Sequence, residues 1–143
     1  MRATYGSWLR SFGTFGCSPR PYRHPMRKLQ HLDAWRGAQQ LARSAYLLTM
    51  APTVSKHFGL IDQIRRAAPS VPANIAERYA LGSTPQFVRC LKIALGSATE
   101  LLTHLTLLQS LNLVPEHDLQ QCIELCDRVV SMIIGLIRKL TDR

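Results

Sequence analysis

Apolar residues recur every three or four positions along most of the chain, and this spacing predicts helices rather than strands. Short segments containing proline or glycine separate the apolar runs and end the helices. The predicted helices span about 32–50, 58–81, 85–111 and 115–140. Because short connections place consecutive long helices antiparallel, the predicted fold class is all-α, an antiparallel up-down-up-down four-helix bundle.

The second predicted helix contains two prolines, Pro69 and Pro72. Each proline lacks a backbone N–H and crowds the preceding turn, so we expect a kink near 68–72. The residue pattern alone leaves open a second interpretation, in which two shorter helices replace this one.

The third predicted helix has the most regular apolar seam. Its first stripe alternates steps of four and three, as in a coiled coil, through Phe87, Leu91, Ala94, Ala98, Leu101, Leu105 and Leu108. A second stripe contains Val88, Leu95 and Leu102 and widens the apolar arc. A helix that is apolar over so wide an arc has two neighbours, or a second partner outside its own bundle.

The length and charge of the chain indicate one basic domain. The 143 residues suffice for a single domain with its own core, and 46% of them are hydrophobic. Of the formal charge of +9, residues 1–25 carry +4 without any acid, and residues 26–143 carry the other +5. Such a surplus favours a polyanionic partner such as RNA, DNA or an anionic membrane face. The alternative is that the charge only aids solubility.

Residues 1–25 combine glycines, prolines, arginines and aromatic residues without a helical or strand period. We predict a disordered basic extension here, followed by a bundle domain over 26–143. Met26 is a candidate start codon, since the helical pattern begins just after it. The alternative is a basic arm with interleaved aromatic residues that binds nucleic acid.

No arrangement of residues in the sequence indicates catalysis. Glu77 and Glu100 lie among apolar residues, and we interpret them as part of a buried polar network rather than as an acid/base pair. Cys122 and Cys126, one turn apart, are a candidate zinc site together with His104, but both continue an apolar seam and are predicted to pack in the core. Glycine-rich phosphate loops, nucleophile elbows and HExxH motifs are absent. We therefore predict a non-enzymatic protein without a cofactor or a metal.

The cysteines and the hydropathy pattern bear on localisation. The four cysteines are not spaced as a disulfide framework, so reduced thiols and a cytoplasmic protein are expected. No stretch approaches 18 uncharged apolar residues, so neither a spanning segment nor a membrane partner is predicted.

Basic residues on the predicted helices are the better functional candidates. Several of them are adjacent or share a helix face, and guanidinium groups suit phosphates. The candidate nucleic-acid contacts are Arg36, Arg43, Arg65, Arg66, Arg78, Arg89 and Lys92. The alternative is a solvated outer face with pairs inside the bundle, such as Asp62 with Arg66.

Parts of the sequence resemble a known family. The runs Gln63-Ile-Arg-Arg-Ala67 and Ser70-Val-Pro-Ala-Asn-Ile-Ala-Glu77 are similar to the signature of the 23S rRNA-intervening-sequence proteins, also called four helix bundle proteins. Leu32-Asp-Ala-Trp-Arg-Gly-Ala38 and Phe87-Val-Arg-Cys-Leu-Lys-Ile-Ala-Leu-Gly-Ser97, followed by Glu100-Leu101, extend the similarity. The resemblance covers about residues 29–141.

The resemblance implies a bacterial, non-catalytic, ring-like homopentamer with a basic surface, whose second helix continues through Pro72. Relatives are encoded within insertions in large-subunit rRNA genes, and a related accessory protein serves a retroelement reverse transcriptase. RNA or a nucleic-acid-processing protein is therefore the implied partner. A pentamer accounts for the wide apolar arc of the third helix, so its interface is predicted at Val88, Leu95 and Leu102. Paired arginines of the family match Arg65 and Arg66, and its recurrent polar positions match Asn74, Glu77 and Glu100.

The chain departs from the family pattern at three positions. Arg78 replaces a usual glycine and adds charge near the connection between the second and third helices. Leu102 replaces a second acid, which weakens the case for a paired-acid function, and Pro69 replaces a non-proline residue. Residues 1–25 have no counterpart in the family.

Three functional hypotheses result. The first is an RNA-associated oligomeric adaptor, and the second is a protein–protein scaffold that binds no nucleic acid. The third is a metal-dependent enzyme that uses Cys122, Cys126 and Glu100, and it has the least support.

Overall fold

A computed structural model of the chain describes residues 29–77 and 83–142. Its helices are α1 (Asp33–Leu48), α2 (Phe58–Ala76), α3 (Thr84–Ser110) and α4 (Glu116–Thr141). These two ranges contain no strand, and the predicted all-α four-helix bundle is confirmed. The predictions made for residues 1–25 and for Arg78 fall outside the described residues.

Each helix packs against two others in the cyclic order α1, α2, α3, α4. α2 and α3 are antiparallel, since Ser70 contacts Ser97 while Glu77, directly after the end of α2, contacts Cys90, which precedes Ser97 in α3. Asn112 in the connection between α3 and α4 has a φ of 51°, a left-handed conformation that asparagine tolerates better than most residues. The result is a square arrangement in which α2 lies diagonal to α4, and α1 to α3.

α2 is one continuous helix through both of its prolines. This confirms the expectation from the family resemblance and excludes two shorter helices over this segment. Pro72 is buried against the core and Pro69 is exposed. Tertiary packing of a helix face outweighs the loss of backbone hydrogen bonds at the prolines, because Ile64, Val71 and Ile75 are fully buried.

The core consists of the stripes that the periodicity predicts. All seven residues of the α3 seam are buried. α4 contributes Leu119, Cys122, Cys126, Val129 and Ile133, and the expected core position of its two cysteines is confirmed. α1 faces them with smaller residues, Ala38, Leu41 and Ala45, which are completely buried.

Candidate functional site

Arg65 on α2 is held against α1 by two contacts. Its Nε donates a hydrogen bond to Oγ1 of Thr49 over 2.9 Å, and its Cζ lies 4.5 Å from the centroid of the Tyr46 ring. Thr49 is 2% exposed, and its hydroxyl donates to the carbonyl oxygen of Tyr46 over 2.6 Å. Arg65 therefore has a fixed orientation at the outer edge between the two helices.

Arg66 and Arg36 are each paired within the protein. Arg66 bonds to Glu100 on α3 and, over 2.6 Å, to Oε1 of Gln63 on its own helix. Arg36 pairs with Asp33 one turn earlier on α1. The pair of Arg66 with Asp62, which the alternative interpretation gave as an example, does not form, because Arg66 reaches across to Glu100 on α3. Both guanidinium groups are partly neutralised, which lowers their value as phosphate contacts.

Arg43, Arg89 and Lys92 are exposed and have no ion-pair or hydrogen-bond partner within the described part of the chain. Arg43 lies on the outer side of α1, whereas Arg89 and Lys92 lie in the first half of α3. The predicted basic residues thus occupy more than one side of the bundle. With Arg65, these three are the predicted contacts that remain most available to an anionic partner.

The described part of the bundle is almost neutral. It contains ten basic and nine acidic residues, a formal charge of +1. Residues 1–28 contain six basic residues and no acid. The +5 carried by residues 26–143 therefore comes mostly from Arg27, Lys28, Arg78 and Arg143, which lie outside the described residues. Positive charge on the bundle itself is local rather than general.

Three residues were predicted to form one polar network, namely Asn74, Glu77 and Glu100. They lie along the edge between α2 and α3, but each makes a separate contact. Nδ2 of Asn74 donates to the carbonyl oxygen of Ser70 over 2.8 Å, and the Ser70 hydroxyl meets that of Ser97 at 2.9 Å. The Cys90 thiol donates to Glu77 over 3.3 Å. Glu77 is exposed, so the expectation of a buried network is wrong at this position.

Glu100 is half-buried between Arg66 and His104. Its Oε1 lies 3.8 Å from Nε2 of His104, which is too long for a hydrogen bond. Nε2 of His104 is buried without a partner. The ion pair between Arg66 and Glu100 links α2 to α3. Among the described residues, no second carboxylate lies near Glu100.

The outward side of α3 carries no charge over most of its length. It presents Ile93, Gly96, Thr99, Thr103, Thr106, Leu107 and Ser110, all exposed, which we call the α3 outer face. The hydroxyls of its threonines and serine donate to carbonyl oxygens of the same helix at 2.8–3.0 Å. This face therefore offers small side chains whose own donors are already satisfied.

The predicted interface residues flank the α3 outer face. Val88, Leu95 and Leu102 are half-buried, and Leu95 and Leu102 pack against the core. Ile123 and Val130 of α4 are also half-buried and pack against the same core. These side chains complete the fold of the protomer and leave only part of their surface for a partner.

Cys122 and Cys126 are buried thiols with strongly raised pKa values. Burial raises the pKa of Cys122 to about 12, with a smaller contribution from Cys126. Burial also raises the pKa of Cys126 to about 12, with a smaller contribution from Asp127. The Cys126 thiol donates to the carbonyl oxygen of Ala98 over 3.4 Å. Thiols in this state are poor metal ligands, and the described residues contain no cluster of three candidate ligands.

These thiols predict a loss of stability in alkali. Because their folded pKa values lie above the ordinary 9.0, their contribution is complete below pH 9 and is lost as pH rises towards 12. Each thiol should lower the free energy of unfolding by about 1 kcal/mol between pH 9 and 10, because the unfolded thiol is already half ionised at pH 9. Urea denaturation at pH 8, 9 and 10 of the wild type and of a Cys122→Ala/Cys126→Ala variant measures this. The variant should lose less stability over the interval, and parallel pH profiles would contradict the interpretation.

Residues 30–135 match the 23S rRNA-intervening sequence protein family, about three quarters of the chain. The chain belongs to this family. A crystal structure at 1.70 Å resolution of a protein with unknown function from the S23 ribosomal protein family, from Bacteroides thetaiotaomicron VPI-5482, has the same fold. It superposes with a TM-score of 0.67 at 24% identity, over 73% of this chain and 95% of that one. No curated protein matches the chain.

Two features of this family member were not predicted from its sequence. Tyr46 and Thr49 gain significance only through Arg65, which is 16 residues from Thr49 in the chain. The α3 outer face does not stand out in the pattern of apolar residues, and its signal in the sequence is instead the absence of Lys, Arg and Asp between Lys92 and Ser110. No helix among the described residues is long and apolar enough to cross a membrane.

Proposed function

We propose that this protein is a non-enzymatic assembly protein that associates with copies of itself through the α3 outer face. The observation that carries the proposal is the uncharged outward side of α3 from Ile93 to Ser110, which begins just after the exposed Arg89 and Lys92. The exposed face of a helix in a monomer is usually charged or strongly polar. An uncharged face is instead typical of the interior of an interface, where charged residues are depleted.

The small side chains of this face suit close helix packing. Gly96, Thr99 and Thr103 lie at steps of three and four, so they form one shallow surface. The exposed Ile93 and Leu107 near its two ends supply apolar area to bury. The family resemblance supports five copies, arranged as a ring with cyclic symmetry.

Contact with RNA is the second candidate function, and the unpaired cations Arg43, Arg89 and Lys92 favour it. Phosphates attract such groups without regard to base sequence, and binding of this kind weakens steeply as salt is added. A scaffold that binds only protein is the competing interpretation. A titration with RNA at several salt concentrations distinguishes an RNA-binding protein from such a scaffold.

Sedimentation velocity on the full chain, with an RNA titration alongside, tests both parts. The self-association proposal expects a species of about 80 kDa, five times the 16.1 kDa protomer. A concentration-independent mass near 16 kDa would overturn it. The RNA proposal expects affinity for a labelled structured RNA to fall with salt, and an Arg43→Ala variant to flatten the logarithmic slope by about one unit. An oligomer that ignores RNA at low salt would leave a protein scaffold.

A further inference from the structure

The inner side of the Arg65 guanidinium group, which carries Nε, is held in place by contacts within the protein. The proton of the buried Thr49 hydroxyl is committed to the carbonyl oxygen of Tyr46, so a lone pair of the hydroxyl oxygen remains for Nε of Arg65. The Tyr46 ring lies against the guanidinium group and restricts its rotation. An arginine held at Nε and stacked on an aromatic ring loses little conformational freedom when it binds an oxyanion.

The outer side of the same group is open. Arginine has five N–H donors, and only the one on Nε has a partner among the described residues. The only buried side-chain nitrogen or oxygen without a partner in this part of the chain is Nε2 of His104, so the terminal Arg65 nitrogens reach solvent. Tyr46 is 47% exposed and leaves ring surface available beside them. The arrangement therefore presents donors and an aromatic surface together.

Two charged neighbours set the local potential. Arg43 lies one turn before Tyr46 on the same side of α1, is exposed and has no partner within the described residues. Asp62 lies one turn before Arg65 on α2, is exposed and forms no ion pair with Arg65. Arg43 attracts an anion to the surface beside Arg65, and Asp62 repels it.

We propose that Tyr46, Thr49 and Arg65 form a binding corner for one nucleotide of single-stranded RNA. The terminal Arg65 nitrogens donate to the phosphodiester oxygens, and the exposed part of the Tyr46 ring stacks on the adjacent base. Thr49 is a positioning residue, and Arg43 adds a second cation. The inference rests on the RNA contact put forward as the second candidate function, and it is independent of self-association.

Fluorescence anisotropy of the full chain with labelled decauridylate at low salt tests the corner. Arg65→Lys keeps the charge but loses the planar group, and we expect roughly fivefold weaker binding or more. Tyr46→Leu should weaken binding by roughly tenfold, because the base loses its stacking surface. Arg128→Ala is the control for charge, since Arg128 is exposed on α4, the helix diagonal to α2, and it should change the affinity less than twofold.

Asp62→Asn provides a test that does not depend on damaging the fold. Removing this carboxylate should strengthen decauridylate binding about two- to fivefold at low salt, and the gain should shrink as salt rises. Circular dichroism of each variant establishes that it is folded. Unchanged affinity in Arg65→Lys and in Asp62→Asn, with a wild type that binds, would overturn the corner while RNA contact stands. A wild type that does not bind decauridylate or structured RNA at low salt would overturn both.

Discussion

Replacement of Thr103 with arginine is expected to convert the proposed assembly into protomers of about 16 kDa. Thr103 lies in the middle of the α3 outer face, where its hydroxyl bonds only to its own helix. An arginine here would place an unpaired charge in every copy of a desolvated interface, which is more costly than such an interface can tolerate. The helix itself should be unaffected, because arginine has a higher helix propensity than threonine.

Sedimentation velocity at matched protomer concentration measures this effect, and Gln39→Arg is the matched control. Gln39 is exposed on α1, the helix diagonal to α3, so the control adds the same charge away from the proposed interface. It should sediment as the wild type does. A Thr103→Arg protein that keeps the wild-type mass would exclude the α3 outer face as the contact between copies.

Truncation of Leu41 to alanine should have the largest effect on the fold. Leu41 is completely buried in α1 between the facing helices. Its loss removes transfer free energy and leaves a cavity, at a cost of about 2–5 kcal/mol. Small domains have unfolding free energies of about 5–15 kcal/mol, so this substitution should remove a large part of the stability of the bundle.

Leu47→Ala on the same helix is the matched comparison, because Leu47 is 50% exposed. Its expected cost is below about 1 kcal/mol. Urea denaturation should be performed in the Thr103→Arg background, where the free energy of unfolding does not depend on protomer concentration. Equal losses of unfolding free energy in Leu41→Ala and Leu47→Ala would mean that α1 does not pack on the core in the orientation described.

The helices and the core were predictable because both follow from local spacing. The seam from Phe87 to Leu108 keeps its steps of three and four without a break, and every member is buried. The same rule placed Cys122 and Cys126 in the core. The continuity of α2 could not be decided this way, since residues that flank Pro69 and Pro72 do not reveal whether tertiary packing compensates for the missing hydrogen bonds.

The surface was less predictable because its contacts depend on how the helices are rotated. The rule for pairs four apart assigned Asp62 to Arg66, whereas the partner of Arg66 is Glu100 on α3. No spacing rule could join Arg65 to Thr49 across two helices. Formal charge gave only a total, and it could not show that the described bundle is close to neutral.

The prolines of α2 also have a consequence for the order in which the bundle forms. Without N–H groups at Pro69 and Pro72, the carbonyl groups of Arg65 and Ala68 lack their usual helical donors. An isolated α2 therefore has little tendency to nucleate, whereas α3 and α4 are long, uninterrupted and joined by a short turn. We expect the α3–α4 hairpin to be structured in the folding transition state, and α2 to become helical only as it docks onto a surface already in place.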